Sequence, residues 1–155
     1  MPELNTTHIG RIRYNEQDTL EFPAGLPGFD QEKAFLPIEV PAAKPILLFQ
    51  SLHTPGLCFM TLPVLVVDPQ YRLNMTPEDL RLIGLDEERQ PAIGPDVLCV
   101  AILAVSQDQA PTANMLAPLV VNFKTHRAVQ AIQVDSNYSH QHPLPAPQPE
   151  PEPVA

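Results

Sequence analysis

The sequence predicts a mostly β protein: a single antiparallel domain, barrel-like or a compact sandwich, with one or two short helices. Three observations point there. Short apolar runs rich in β-branched residues recur along the chain, separated by turn residues. Twenty prolines among 155 residues oppose long helices, because proline lacks an amide donor and clashes with the preceding turn. Only one segment carries a full set of helix start and stop signals. The length suits one domain with its own core, and a hydrophobic content of 44% is near the globular norm.

In chain order, residues 7–14 read as a first strand whose partial alternation points Ile12 and Tyr14 the same way. Residues 19–22 form a second, short one. Pro23-Ala24-Gly25-Leu26-Pro27-Gly28 then reads as a fixed turn, since prolines preset φ and glycines permit positive φ. Phe22, Leu26 and Phe29 flank it and are expected to pin it to the core. Residues 34–39, 46–52 and 57–62 follow as strands, the last two joined by a hairpin signal, His53-Thr54-Pro55-Gly56. Residues 64–67, bracketed by prolines, read as an edge or bent strand.

The helix lies between Thr76 and Gly84. Thr76 is its cap, Pro77 takes the first helical position, Glu78 and Asp79 fill the first turn, and Gly84 stops it. Leu80 and Ile83 share the face that should dock on the sheet. Residues 97–105 are an apolar run expected to be a central strand, and 107–112 a polar loop. Residues 119–122 and 127–134 are the last strands. The folded domain is read as 1–143. Residues 144–155, nearly every second one a proline, bury too little apolar surface to fold and are expected to be disordered and polyproline-like.

Composition excludes several function classes. Eighteen acids against nine bases give a net charge of −9, with no basic cluster to neutralise phosphates, so direct nucleic-acid binding is not expected. An acidic surface suits a basic protein partner, although net negative charge also serves solubility alone. Cys58 and Cys99 have neither a C-x-x-C nor a zinc-like spacing and read as buried free thiols. The N-terminus lacks a signal-peptide pattern, and no apolar stretch is long enough to span a bilayer, so the cytoplasm is the expected compartment.

Catalytic patterns are missing. The sequence holds no nucleophile elbow, phosphate loop or dinucleotide fingerprint. His140 and His142 could share one side of a strand, but zinc needs three or four converging ligands, and two solvated histidines are the expectation. Glu16, Asp108 and Asp135 are scattered. No catalytic residue, metal or cofactor is expected, and the protein is read as a non-enzyme.

Four ordered segments resemble the FliW family of flagellar assembly factors. They are Phe22-Pro23-Ala24-Gly25-Leu26-Pro27-Gly28-Phe29-Asp30; Phe49-Gln50-Ser51-Leu52 with Pro55, Leu57, Phe59 and Pro63; Tyr71 leading into Pro77-Glu78-Asp79-Leu80 and Ile83-Gly84-Leu85; and residues 112–122 followed by Arg127-Ala128, Gln130 and Tyr138-Ser139. The resemblance spans about residues 6–144 and leaves out the proline-rich tail. Arg72 and Met115 depart from its pattern.

The resemblance implies a partner switch. Members bind the RNA-binding translational regulator CsrA, blocking its repression of flagellin synthesis, and also bind flagellin. A flagellin export chaperone without a translational role is the alternative. The candidate partner-binding residues are Asp68, Tyr71, Glu78, Asp79, Asn114, Asn122 and Tyr138. Glu78 and Asp79 admit two roles, partner contact or stabilisation of the helix N-terminus. Asn114 and Asn122 are recognition groups or close turns against the backbone. Tyr138 is an interface residue or a core lid. Phe22 and Phe29 are read as core, with partner contact as the other possibility.

Overall fold

The computed structural model describes residues 2–144. Of the tail expected to be disordered, residues 145–155 lie outside the described residues.

A strand that was not expected, β1 (Glu3–Thr6), pairs antiparallel with β2 (Gly10–Arg13), which is all that forms of the strand expected over 7–14. The Thr6 hydroxyl holds the turn between them. It accepts from the Ile9 amide at 3.0 Å and donates to the Gly10 carbonyl at 2.7 Å, closing a turn that competes with strand continuation.

The main sheet has nine strands. Its continuous path runs β10 (Ala128–Gln130), β9 (Leu119–Asn122), β7 (Val97–Ala104), β6 (Cys58–Pro63), β5 (Leu47–Ser51), β4 (Ala34–Glu39) and β3 (Leu20–Glu21), every neighbour antiparallel. Two strands that the sequence did not suggest, β8 (Thr112–Ala113) and β11 (His142–Pro143), branch from the far end of β7. The ends of the path come together without forming a barrel ladder. They meet at a lone parallel bridge between Glu21 and Arg127, where the Glu21 amide donates to the His126 carbonyl at 2.9 Å.

β7 divides two apolar layers. Side chains alternate across a strand, so Val97, Cys99 and Ala101 face one layer while Leu98, Val100 and Ile102 face the other. The inner layer gathers Leu20, Phe22, Leu26, Phe35, Phe49, Leu119 and Val121; Phe22 meets Phe35 edge-on with centroids 5.2 Å apart. The outer layer is covered by Val64, Tyr71, Met75, Leu80 and Ile83. A strand covered on both faces is apolar throughout, which accounts for the unbroken run from Val97 to Ile102; Ala104 and Val105 at its end are exposed.

The two short helices serve the outer layer. α2 (Pro77–Leu82) forms where its signals place it, with the Thr76 hydroxyl accepting from the Asp79 amide at 3.2 Å. Residues 64–67 are not a strand. They form one helical turn, α1 (Val64–Val67), closed by the Asp68 amide donating to the Val64 carbonyl at 2.8 Å. Pro63 sets the entry, and complete burial of Val64 on the sheet overrides the strand preference of β-branched residues.

Two further expectations need correction. The strand read over 127–134 ends at Gln130. Beyond it Ala131 and Gln133 still bond to the carbonyls of Pro118 and Leu116, and Ile132 and Val134 still point outward, but no regular ladder forms. Phe29 does not enter the core: it is 44% exposed and rests edge-on against Phe59. The turn is pinned without it. Gly25 sits at φ 67°, where a Cβ would stand 2.6 Å from the Asp30 carbonyl oxygen, so glycine is required.

A buried carboxylate completes that turn. Glu32 accepts from the Ser51 hydroxyl at 2.5 Å and from the Thr54 hydroxyl, while Ser51 accepts from the amides of His53 and Thr54. The network ties the turn after β3 to the β5–β6 hairpin. Burial pushes the Glu32 carboxyl up, but the bonds from Ser51 and Thr54 and the field of His53 outweigh it, holding the group below its ordinary 4.5. A depressed folded-state value stabilises the fold above the unfolded-state value and ceases to do so as pH falls through the folded one. Urea unfolding between pH 7 and pH 3 is expected to show stability falling on the acid side. Glu32→Gln should flatten that acid limb, and Glu32→Ala should cost about 1–3 kcal/mol at neutral pH by stripping buried hydroxyls of their acceptor.

Candidate protein-interaction surface

The chain between α1 and β7 carries most of the predicted site residues. Residues 68–96 hold seven acids (Asp68, Glu78, Asp79, Asp86, Glu87, Glu88 and Asp96) against three arginines. Two of those arginines are spent internally: Arg81 pairs with Glu87, and Arg89 pairs with Asp96 at 3.2 Å. Asp68, Glu78, Asp79, Asp86 and Glu88 have no ion-pair partner among the described residues, with Arg72 the remaining cation of the segment. Glu78 is exposed and Asp79 half-buried on the first turn of α2. Partial burial raises the Asp79 carboxyl above its ordinary value, Thr76 opposes the rise, and neighbouring Glu78 adds to it.

This acidic segment is held by polar side chains of its own and of the chain after β10. The Tyr71 hydroxyl donates to the Met115 carbonyl at 2.7 Å. Its ring stacks on Tyr138 with centroids 4.3 Å apart, and the Tyr138 hydroxyl accepts from the Arg72 amide at 2.8 Å. Gln133 accepts from the Asn74 amide at 2.7 Å. Gln90 accepts from the Met75 amide and donates back to the Met75 carbonyl. Each bond satisfies a loop amide or carbonyl that would otherwise lack a partner.

The far end of α2 is fixed in the same way. The Leu85 amide bonds the Leu80 carbonyl and the Gly84 amide the Arg81 carbonyl, the paired closure of a Schellman turn. Gly84 has φ 80°, and a Cβ there would come within 3.0 Å of the Thr125 methyl. The Ile83 carbonyl accepts from Asn122 at 2.7 Å and from Thr125 at 2.9 Å.

The predicted residues sort by position. Asp68, Glu78 and Asp79 are at least partly open to solvent on one continuous segment. Tyr71 and Asn122 are buried with their polar atoms bonded inside the protein. Asn114 accepts from the Ala117 amide at 3.0 Å, closing a turn. Tyr138 is half-buried, its ring packed on Tyr71. Sequence reasoning missed Gln90 and Gln133, since an isolated glutamine carries no pattern. It also missed the run Asp86-Glu87-Glu88, whose consecutive acids were a readable signal.

No group of three or more His, Cys, Asp or Glu side chains converges as a metal site among the described residues. Cys99 is buried and its thiol is pushed up to about 12 by burial. None of the helices among the described residues is long and apolar enough to cross a membrane.

Residues 3–144 match the family model described as FliW protein. Curated relatives called flagellar assembly factor FliW include one from Syntrophomonas wolfei, 32% identical over 86% of this chain and 83% of its own. Another, from Heliobacterium modesticaldum, is 33% identical over 88% and 86%. A crystal structure of the flagellar assembly factor FliW superposes with a TM-score of 0.82 at 28% identity, covering 95% of this chain and all of that one.

Removing the buried bolts should loosen the acidic segment. Asn122→Ala is expected to cost about 1–3 kcal/mol in chemical denaturation, because the Ile83 carbonyl and the Lys124 amide both lose a partner. Gly84→Ala should also destabilise, by roughly 1 kcal/mol or more, since it forces a side chain into a left-handed backbone.

Proposed function

The chain belongs to the FliW family, and from that membership we propose that it is a flagellar assembly factor that binds CsrA, relieves CsrA's repression of flagellin synthesis, and also binds flagellin. Free flagellin then occupies the protein, CsrA is released, and flagellin translation falls. The protein works in the cytoplasm by association with other proteins and without catalysis.

The observation that supports this reading is the charge of residues 68–96, seven acids to three arginines, two of the arginines already paired within the protein. An RNA-binding partner must present cations to phosphates, and an acidic surface attracts the same cations. Glu78 and Asp79 lie near the middle of this segment, with Asp68 before them. Tyr138 bonds the Arg72 amide of the segment, while Tyr71 and Asn122 act beneath it by fixing the segment in place; Asn114 closes a turn with Ala117. The first-turn acids also stabilise the helix N-terminus, by about 0.3–1 kcal/mol. Contact and capping are compatible, because a carboxylate near a helix amide still presents charge outward.

Size-exclusion chromatography with CsrA, with flagellin, and with both together tests the partners and their competition. A complex with each, and displacement of CsrA by flagellin, is the expected result; association with flagellin alone would leave only the chaperone reading. In stopped-flow measurements at low salt, the double reversal Glu78→Lys and Asp79→Lys is expected to slow CsrA association by about tenfold or more. An unchanged rate in a folded variant removes these residues from the contact.

A further inference from the structure

The place where the sheet fails to close leaves a second working surface. β3 covers only Ala34 and Phe35 of β4, so among the described residues the edge of β4 from Pro37 to Glu39 has no strand paired to it. Along that gap runs an open groove of about 750 Å³. Leu47, Leu98 and Val121 form its floor, and Ile12, Ile38 and Phe123 stand at its sides. Through it the inner apolar layer reaches the surface, and Phe123 is 48% exposed. Such a volume with mainly apolar walls is within the range of binding sites.

The edge itself rejects an added strand. The Leu52 amide donates to the Ala34 carbonyl at 3.0 Å, which puts the amides of residues 34, 36 and 38 toward β5 and those of 35, 37 and 39 toward the gap. At 37 the residue is proline, so the central donor of the free edge does not exist. An extended peptide would find an incomplete ladder. A helix needs no backbone partners and can lay one apolar face into the groove.

The rim sets the charge of the occupant. Asp18 and Glu39 are exposed there and have no ion pair among the described residues. Arg13 bonds Glu3 at 3.1 Å, a carboxylate it shares with Arg11, His126 also lines the groove, and Lys44 lies in an adjoining cleft that shares Glu39, Leu47 and Leu98. We propose that this groove docks an amphipathic helix of a protein partner, its apolar face on Leu98 and Phe123 and its flanking cations on Asp18 and Glu39. The site is separate from the acidic segment of residues 68–96 and does not depend on CsrA binding there. The chain's own tail fits poorly, since Glu150 and Glu152 would meet the acidic rim.

Fluorescence anisotropy on the full chain tests this with two synthetic helical peptides sharing one leucine face, flanked by lysines in one and by glutamates in the other. The lysine peptide is expected to bind at least about tenfold tighter. Phe123→Ser, at an exposed position, should weaken it by about tenfold or more while leaving the melting temperature near the original. The double reversal Asp18→Lys and Glu39→Lys should invert the peptide preference, which a purely structural role would not do. Glu78→Lys with Asp79→Lys should leave peptide binding unchanged, so failure here and failure of the CsrA reading are told apart. Equal or absent binding of the peptides, an unaltered preference in the reversed variant, competition by a peptide of residues 145–155, or a dimer dispersed by Phe123→Ser would overturn the proposal.

Discussion

Burial of β7 on both faces is the constraint that organises this protein. Val97, Cys99 and Ala101 serve one apolar layer and Leu98, Val100 and Ile102 the other, so the fully buried Val97, Cys99, Val100 and Ala101 tolerate no unpaired polar group. One layer can be enclosed by the curl of the sheet itself. The other needs a cover, and the chain supplies it with α1, the loop of residues 68–76 and α2. The acids of the candidate surface lie on this cover, at Asp68, Glu78 and Asp79, and on the chain that leads from it into β7, at Asp86, Glu87, Glu88 and Asp96.

How the cover is held explains why so many buried polar groups gather there. A loop laid over an apolar sheet brings amides and carbonyls out of water, and each needs a partner. Buried Tyr71, Asn122 and Gln133 supply them, together with half-buried Tyr138 and the more exposed Gln90. Net contributions of about 0.5–1.5 kcal/mol per bond are modest, but leaving the groups unmade would cost more. The inner layer shows the same economy at Glu32, whose two oxygens hold a turn and a hairpin together.

Much of this was legible in the sequence. α2 was readable from Thr76, Pro77 and Gly84 because caps act locally, and β7 from its unbroken apolar run. The strand assignment for Val64–Val67 failed because β propensity describes a residue's fit to a pleated surface, whereas here docking of Val64 decided the conformation. The strand read over 7–14 starts only at Gly10, because the Thr6 hydroxyl closes a turn over the residues before it. Strands as short as β8 and β11 carry too few residues to show a period. At the candidate surface the acids were readable as charge. That Tyr71 and Asn122 lie below it was not, since burial of a polar residue depends on partners distant in the chain: Asn122 bonds Ile83, and Tyr71 bonds Met115.

The charge of residues 68–96 and the family relationship point in the same direction. Two of the segment's three arginines are paired internally while five of its seven carboxylates are not, among the described residues, and a net negative field of that kind speeds encounter with a basic partner. Hydrogen–deuterium exchange of the full chain, alone and saturated with CsrA, tests this most directly. Added protection concentrated within residues 68–96 is the predicted result. Protection confined to other faces of the domain, with that segment exchanging as in the free protein, would contradict the account.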